Sequence, residues 1–475
     1  MGGDAPMMIV MDGQLHITDM PPDLYSQVTR ELTVPNPDYL NALRMGRPLY
    51  GIQKNILLFE VQNNELLLPR GMIMRLWGRR PKGTVCQDRT HTGEPVDFPR
   101  CSIQLRGYQE KVCSTVLANA IPQGVILAPC GSGKTEMGLY LVAMRRQPAL
   151  WITHTRDLLD QTVERARDRL GLQPGELGVL AGGERRIGSH LTVATVQTLY
   201  HMELDELAMI FGTVIVDECH RVVNNPQKAS MFTRVLSGLP AKYRYGLTAS
   251  DHRGDGLEDT IFQVLGERIA AVDPEELKEG GNTVIPMVQP VYTDFTYHPA
   301  PKETRIDPSR LLKYIGKDED RRSVVLRYLT RELRAGHSCI CLAQSLEILE
   351  KLQVALDKAG LPSEYICGGT RKDHRTAAIR NMREGRAHCL LATYQLAKEG
   401  LDIPRADRLF LVSSVRDRVT IQQSVGRIMR PAPDKADAVV YDFVDYKVPQ
   451  CRAQYNARKR VYQDLQAQIE KEIKA

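Results

Sequence analysis

The sequence predicts two α/β domains in tandem, each a parallel sheet covered by helices, behind a small N-terminal α+β domain. Three observations carry that expectation. Near-continuous apolar runs of about five residues recur in two series, separated by helix-prone segments, as strands buried on both faces require. A Pro-containing stretch at about 281–310 interrupts the two series. A chain of 475 residues also exceeds what one core holds, and suggests about three domains.

Residues 1–98 mix short strand-like runs (Ile56 to Val61, Glu65 to Leu68) with turns, and their exit from Gly78 to Pro99 reads as a linker. The first α/β domain, 99–285, has its strands at GVILA 124–128, ALWIT 149–153, LTVAT 191–195, TVIVD 213–217 and YRYGLT 243–248. A linker over 286–320 follows. The second α/β domain, 321–450, has SCICLA 338–343, SEYIC 363–367, HCLLAT 388–393, RLFLVS 408–413 and ADAVVYDFV 436–444. Residues 451–475 form a charged C-terminal helix, whose cluster of Arg452, Arg458, Lys459 and Arg460 reads as a solvated face.

Composition excludes more than it assigns. Hydrophobic content of 43% and charged content of 25% are ordinary for a folded soluble protein. A net charge of +6 permits a nucleic-acid partner without demanding one. The ten cysteines include no CxxC pair, and Cys86, His91 and Cys101 lack a fourth ligand, so reduced thiols rather than zinc are expected. The N-terminus has no basic start or long apolar run, Pro6 breaks the myristoylation pattern, and nothing approaches the ~20 apolar residues of a membrane span. The expected location is cytoplasmic: nucleoid-associated, or in the host cytoplasm if a phage encodes the chain.

The chemistry concentrates in two segments. APCGSGKTE at 128–136 follows an apolar strand and opens a helix-prone run, the context a phosphate-binding loop needs. Gly131 and Gly133 let backbone N–H groups turn inward; Pro129, Cys130, Ser132 and Glu136 complete the cradle; Lys134 is expected to reach the β- and γ-phosphates of ATP, and Thr135 to ligate Mg²⁺. Ala128 stands at the motif's first glycine. VIVDECHRV at 214–222 brings Asp217, for Mg²⁺, and Glu218, to polarise the attacking water, to the end of a second strand. His220 is placed to couple nucleotide state to the next strand.

A phosphate loop followed by DECH resembles the ATPase core of superfamily-two helicases, and further segments match in order over about residues 103–445. LRGYQ at 105–109 is similar to the adenine-reading segment, with Gln109 as base contact. LTAS at 247–250 is similar to the segment linking hydrolysis to nucleic acid, with Thr248 and Ser250, where the family usually has Thr, as coupling residues. Arg253, Asp255 and Gly256 resemble the continuation in XPB- and UvsW-like DNA helicases, and Arg253 is counted among the coupling residues. LATYQLAKEGLDIP at 391–404 resembles the family's fifth motif, bringing Gly400 and Asp402 to the nucleotide. QQSVGRIMRP at 422–431 matches Q-x-x-G-R-x-x-R, which puts Gln423, Arg427 and Arg430 on one helical face. The resemblance implies two RecA-like domains, arginines that stabilise the transferring phosphoryl group, and a strand path lined by Thr155, Arg156, Thr195, Gln197, Gln344 and Thr393.

Hydroxyls and amides of that kind hold phosphates without reading bases. The leading expectation is an ATP-dependent DNA helicase or translocase in recombination, repair or replication, acting on single-stranded, duplex or branched DNA, with replication or recombination proteins as further partners. RNA as the track, an ATP-gated clamp or annealing protein, and the motor of a restriction system are the alternatives. Asp273, Glu276 and Lys278 read as a helix start rather than a nuclease centre. LLLPRGM at 66–72 resembles the PRG segment that precedes some phage and mobile-element motors, so residues 1–98 are either a DNA-binding module or a brace on the first motor domain.

Overall fold

A computed structural model describes residues 6–129, 131–221, 226–249, 257–279, 283–298, 306–398, 401–433, 435–465, 467–470 and 473–474. The chain forms two compact units, one reaching Asp273 apart from the loop at 130–132, the other running from Pro274 onward.

The first unit opens with a sheet ordered Glu60–Gln62, Glu65–Pro69, Gln14–Thr18, Met8–Met11 and Val85–Asp88. All pairings are antiparallel except the last, where Met8–Met11 and Val85–Asp88 run parallel. Asn63 and Asn64 make the tight hairpin turn with positive φ at both positions, the conformation that asparagine tolerates best among side-chain-bearing residues. The stretch 78–99, expected as a linker, therefore supplies a strand; its polar, exposed side chains hide it from a hydrophobicity pattern.

Residues 1–98 are not a separate globule. Ile9, Leu15, Ile17, Val28, Leu68 and Leu76 bury their side chains in the same apolar cluster as Val214, Val216, Val235, Leu239, Ile261 and Leu265. Arg70 of the PRG segment pins the two halves. It is 1% exposed and donates to the Gln123 side chain and to the carbonyls of Asp12, Ala241 and Lys242. Buried Arg244 answers from the other side, donating to the carbonyls of Gly13, Leu236 and Leu239. Gly71 fits because it has no Cβ: one would lie 2.4 Å from the Gln263 carbonyl oxygen and 2.6 Å from that of Phe262.

The larger sheet of this unit is ordered Glu184–Arg186, Leu177–Ala181, Leu191–Thr195, Ala149–Thr153, Thr213–Asp217, Tyr243–Thr248, Gln123–Leu127 and Arg268–Ala271. Every neighbouring pair is parallel except the first. The five expected strands are present with small changes at their ends. The flanking strands Leu177–Ala181 and Arg268–Ala271 extend the sheet beyond them.

The second unit's sheet runs Glu364–Ile366, Cys389–Thr393, Cys339–Ala343, Arg408–Leu411, Val439–Val444 and Met287–Tyr292, and the short strands Gln468–Ile469 and Ile473–Lys474 both pair with the last. Met287–Tyr292 corrects the expected linker over 286–320, for it pairs along its whole length with Val439–Val444. Helix Pro308–Lys317 occupies more of that stretch. The C-terminal helix spans Pro449–Asp464 and is not wholly solvated. Arg458 is 1% exposed and makes a two-armed pair with the buried Asp442 carboxylate. Among the described residues, no helix is long and apolar enough to cross a membrane.

Candidate nucleotide site

Three adjacent parallel strands of the first unit end together: Thr248 pairs with Leu127, and Asp217 with Leu247. Side chains at this end of the sheet meet the loop that follows Leu127. Gly131 (φ 86°) and Gly133 (φ 78°) hold the left-handed backbone that turns the loop, and helix Lys134–Arg145 starts at once. Its N-terminal N–H groups and positive end suit an anion. Pro129, Gly131, Ser132, Thr135 and Glu136 lie along this turn; Glu136 pairs with Arg169 at 3.3 Å. Cys130 lies outside the described residues.

Lys134 Nζ stands 3.4 Å from Glu218 Oε1, and Glu218 Oε2 is 3.2 Å from His220 Nδ1. His220 Nδ1 is in turn 3.1 Å from the Thr248 hydroxyl. A continuous polar chain thus runs from the phosphate loop through two strand ends to the segment expected to couple them. Glu218 sits at φ 48°, strained for a side-chain-bearing residue, while its N–H donates to Asp217 Oδ1 at 2.9 Å. Burial pushes the Asp217 carboxyl up to about 6, the Glu218 charge adds to the push, and Lys134 opposes it. A carboxylate held so unfavourably is ready for a cation.

Gln109 is buried beside the loop. Its Oε1 accepts from the Arg106 N–H, closing the start of helix Gly107–Ala118, and a Cβ on Gly133 would lie 2.4 Å from its Nε2. The glycine makes room for the amide, which places Gln109 against the phosphate loop. Sequence reasoning missed Gly138, which lets the phosphate-loop helix sit on the sheet: a Cβ there would lie 2.5 Å from the Trp151 ring and 2.8 Å from Leu247 Cδ1. The signal was present, since glycine inside a helix costs ~1 kcal/mol relative to alanine and wants a packing reason.

In the second unit, Gln423 and Arg427 lie on helix Arg418–Ile428, but the helix stops there, so Arg430 falls beyond it. That corrects the single helical face expected for the three. Arg430 forms an ion pair with Asp402, whose other oxygen accepts from Arg383 at 3.1 Å. Arg383 carried no sequence signal. Arg427 donates to the Ala397 carbonyl, and Gln423 Oε1 is buried without a hydrogen-bond partner among the described residues. Gly400, Ser250, Arg253, Asp255 and Gly256 lie outside the described residues.

The residues expected along a nucleic-acid path sit at strand ends and helix starts. Thr155 caps helix Arg156–Leu170 by accepting from the Leu158 N–H, and Gln197 donates to the His154 carbonyl. Thr195 bonds Thr198 at 2.9 Å, and Thr393 ends its strand. Exposed Gln344 is tied through its backbone N–H to Ser413. Arg156 is held by Asp160, the Ala181 carbonyl and Glu184, a set of intramolecular partners that a phosphate would have to share.

Two family models match in series: one described as Type III restriction enzyme, res subunit, over residues 102–252, the other as Helicase conserved C-terminal domain, over 321–432. The chain is 26% identical to "Probable helicase D10" of Escherichia phage T5, over 74% of this chain and 73% of that one. It is 26% identical to the DNA 3'-5' translocase XPB2 of Sulfurisphaera tokodaii, over 75% of this chain and 86% of that one. The fold also matches a structure of S. cerevisiae Dbp5 bound to RNA and ADP BeF3, with a TM-score of 0.58 and 17% identity, over 77% of this chain and 89% of that one. Two parallel-sheet domains, the two family models in order and these helicase relatives make the chain similar to the helicases of superfamily two.

Proposed function

We propose that the chain is an ATP-driven motor that moves on or remodels DNA. The observation that carries this reading is the polar chain from Lys134 through Glu218 and His220 to Thr248. In this reading Lys134 and the loop N–H groups bind the phosphates, Glu218 takes the proton of the attacking water, and His220 and Thr248 transmit the state of the site to the strand ends. Gln109 orients the nucleotide beside the loop.

The donor set fits Mg²⁺ bound in the usual way for nucleotides, by one or two protein groups plus phosphate oxygens rather than an all-protein cage. No cluster of three or more metal-ligating side chains occurs among the described residues. Asp217, buried at its strand end, and Thr135 would hold the ion. Bound there, it neutralises charge on the β- and γ-phosphates. Asp402, Gln423, Arg427 and Arg430 keep the roles in nucleotide handling that the family pattern gives them.

The likeness to a DNA translocase supports DNA as the track. A "Putative ATP-dependent RNA helicase" of Acanthamoeba polyphaga mimivirus is equally similar, 26% identical over 81% of this chain, and keeps RNA as the second reading. Duplex or branched DNA in recombination, repair or replication is the setting that suits such a motor. Glu218→Gln tests the core of the reading, since it removes the base while keeping size and hydrogen bonding. The variant should bind ATP with affinity within a few-fold of the parent and lose at least about 100-fold in turnover, the range of general-base catalysis. Unchanged turnover would remove Glu218 from the reaction.

A further inference from the structure

Residues 36–58 project a loop that neither the nucleotide site nor the packing of the sheets explains. Helix Pro37–Arg44 ends, the chain runs through MGRPLYGIQK, and strand Asn55–Leu57 returns beside Thr33–Pro35. One buried side chain closes the loop's base. Asn36 accepts from the Asp38 N–H at the helix start, and its backbone N–H and its side-chain amide donate to the Lys54 and Gln53 carbonyls. The loop is therefore held in place while its side chains face water. Tyr50 is 99% exposed, Met45 59% and Leu57 58%.

The loop's own charge has one sign. From Tyr39 to Phe59 the sequence holds Arg44, Arg47 and Lys54 and not one acidic residue. Three residues after Tyr50, Gln53 enters the wall of a cleft of about 770 Å³ that Leu57 and Phe59 also line; Tyr200 and Arg234 stand in the same wall, with the Arg234 guanidinium 5.0 Å from the Tyr200 ring centroid. Aromatic faces beside cations, in a groove with one acidic residue, Glu60, in its lining, suit unpaired nucleotides: bases stack on the rings and phosphates meet the cations. A protein partner would more naturally bury Met45 and Leu57 against apolar side chains, and would need acidic groups to meet Arg47 and Lys54.

We infer that the loop 45–54 and the adjoining cleft form a second nucleic-acid site that stacks an unpaired base on Tyr50 and holds its flanking phosphates with Arg47 and Lys54. The inference rests on the motor reading above, and deepens it by naming a contact outside the two motor domains. The test is binding of a fluorescein-labelled oligo-dT to the full chain by anisotropy, over a range of salt, for the parent, Tyr50→Ala, Tyr50→Phe and the double variant Arg47→Ala/Lys54→Ala.

Tyr50→Ala should weaken binding about 5- to 100-fold, the worth of one stacked base, and Tyr50→Phe should restore it. The double variant should flatten the log–log salt slope by about 1.4, two phosphates' worth on a single strand. Tyr50→Ala binding within twofold of a parent that itself binds would overturn this site and leave the motor standing. A parent that fails to bind oligo-dT with or without nucleotide would overturn both.

Discussion

Replacing Arg70 with methionine isolates the joint between the N-terminal sheet and the first motor domain. The guanidinium donates to three carbonyls and to Gln123 Oε1, while Gln123 Nε2 donates back to the Arg70 carbonyl at 3.0 Å. Among the described residues no carboxylate is hydrogen-bonded to it; burial pushes its pKa down to about 10 against the charges of Asp88 and Asp12, so part of the gain is already spent on desolvation. Methionine keeps the apolar stem but leaves two buried acceptors, Gln123 Oε1 and the Ala241 carbonyl, and two part-buried ones unanswered, a buried orphan being worth ~1–3 kcal/mol. These costs are not additive, and the two fully buried acceptors alone put the total at roughly 2–5 kcal/mol. That range is the expectation here.

The assay is equilibrium urea unfolding of the full chain followed by tryptophan fluorescence. Both tryptophans, Trp77 and Trp151, lie in the first unit, so the signal reports on the unit that holds the joint. The midpoint should fall with little change in slope, and Tm by about 10 °C at ~2–4 °C per kcal/mol for a unit of this size. A loss under about 1 kcal/mol would refute the reasoning, because surface substitutions produce as much. The same geometry changes what removal of residues 1–98 can tell. Such a truncation uncovers the shared core, so loss of DNA affinity in it would not separate a binding module from a brace.

Gly138→Ala should lower stability by ~1–3 kcal/mol through the contact with Trp151, even though alanine favours the helix by ~1 kcal/mol; a gain in Tm would show that the ring moves aside freely. Asp217→Asn tests the buried carboxylate in metal-free protein. Because the folded carboxyl titrates near 6, above its ordinary range, its neutral form contributes stability at low pH that is lost as pH rises through about 6. Asparagine is neutral throughout, so with chelator present the variant should gain in Tm relative to the parent between pH 5 and pH 7.5, and a constant difference would contradict the burial argument. Arg427→Ala should cut ATP turnover by ~10³-fold or more while nucleotide binding is largely kept; equal rates would take that arginine out of hydrolysis.

The parallel strands and the phosphate loop were legible because each is local: a run of apolar residues buried on both faces, and glycines at the two positions that need a left-handed backbone. What escaped depended on partners distant in sequence. Met287–Tyr292 reads as linker because Pro290 lacks an N–H, yet it is tolerated where neither Gln468–Ile469 nor Ile473–Lys474 pairs with that residue. Arg458 reads as a solvated cation until Asp442, sixteen positions away, is seen to receive it. Arg430 looks continuous with its helix by spacing alone, while its ion pair with Asp402 forms beyond the helix end. Arg70 sat in a phrase noticed for its resemblance, with nothing in its neighbours to say that it would be buried.

Movement on DNA driven by ATP is tested most directly by steady-state ATPase rates at fixed salt. The rates are compared without nucleic acid and with single-stranded DNA, duplex DNA, forked DNA and single-stranded RNA. A DNA motor should show strong stimulation by DNA, little by RNA, and loss of all turnover in Lys134→Ala. A rate that is flat across every substrate, or one that RNA alone raises, would contradict it.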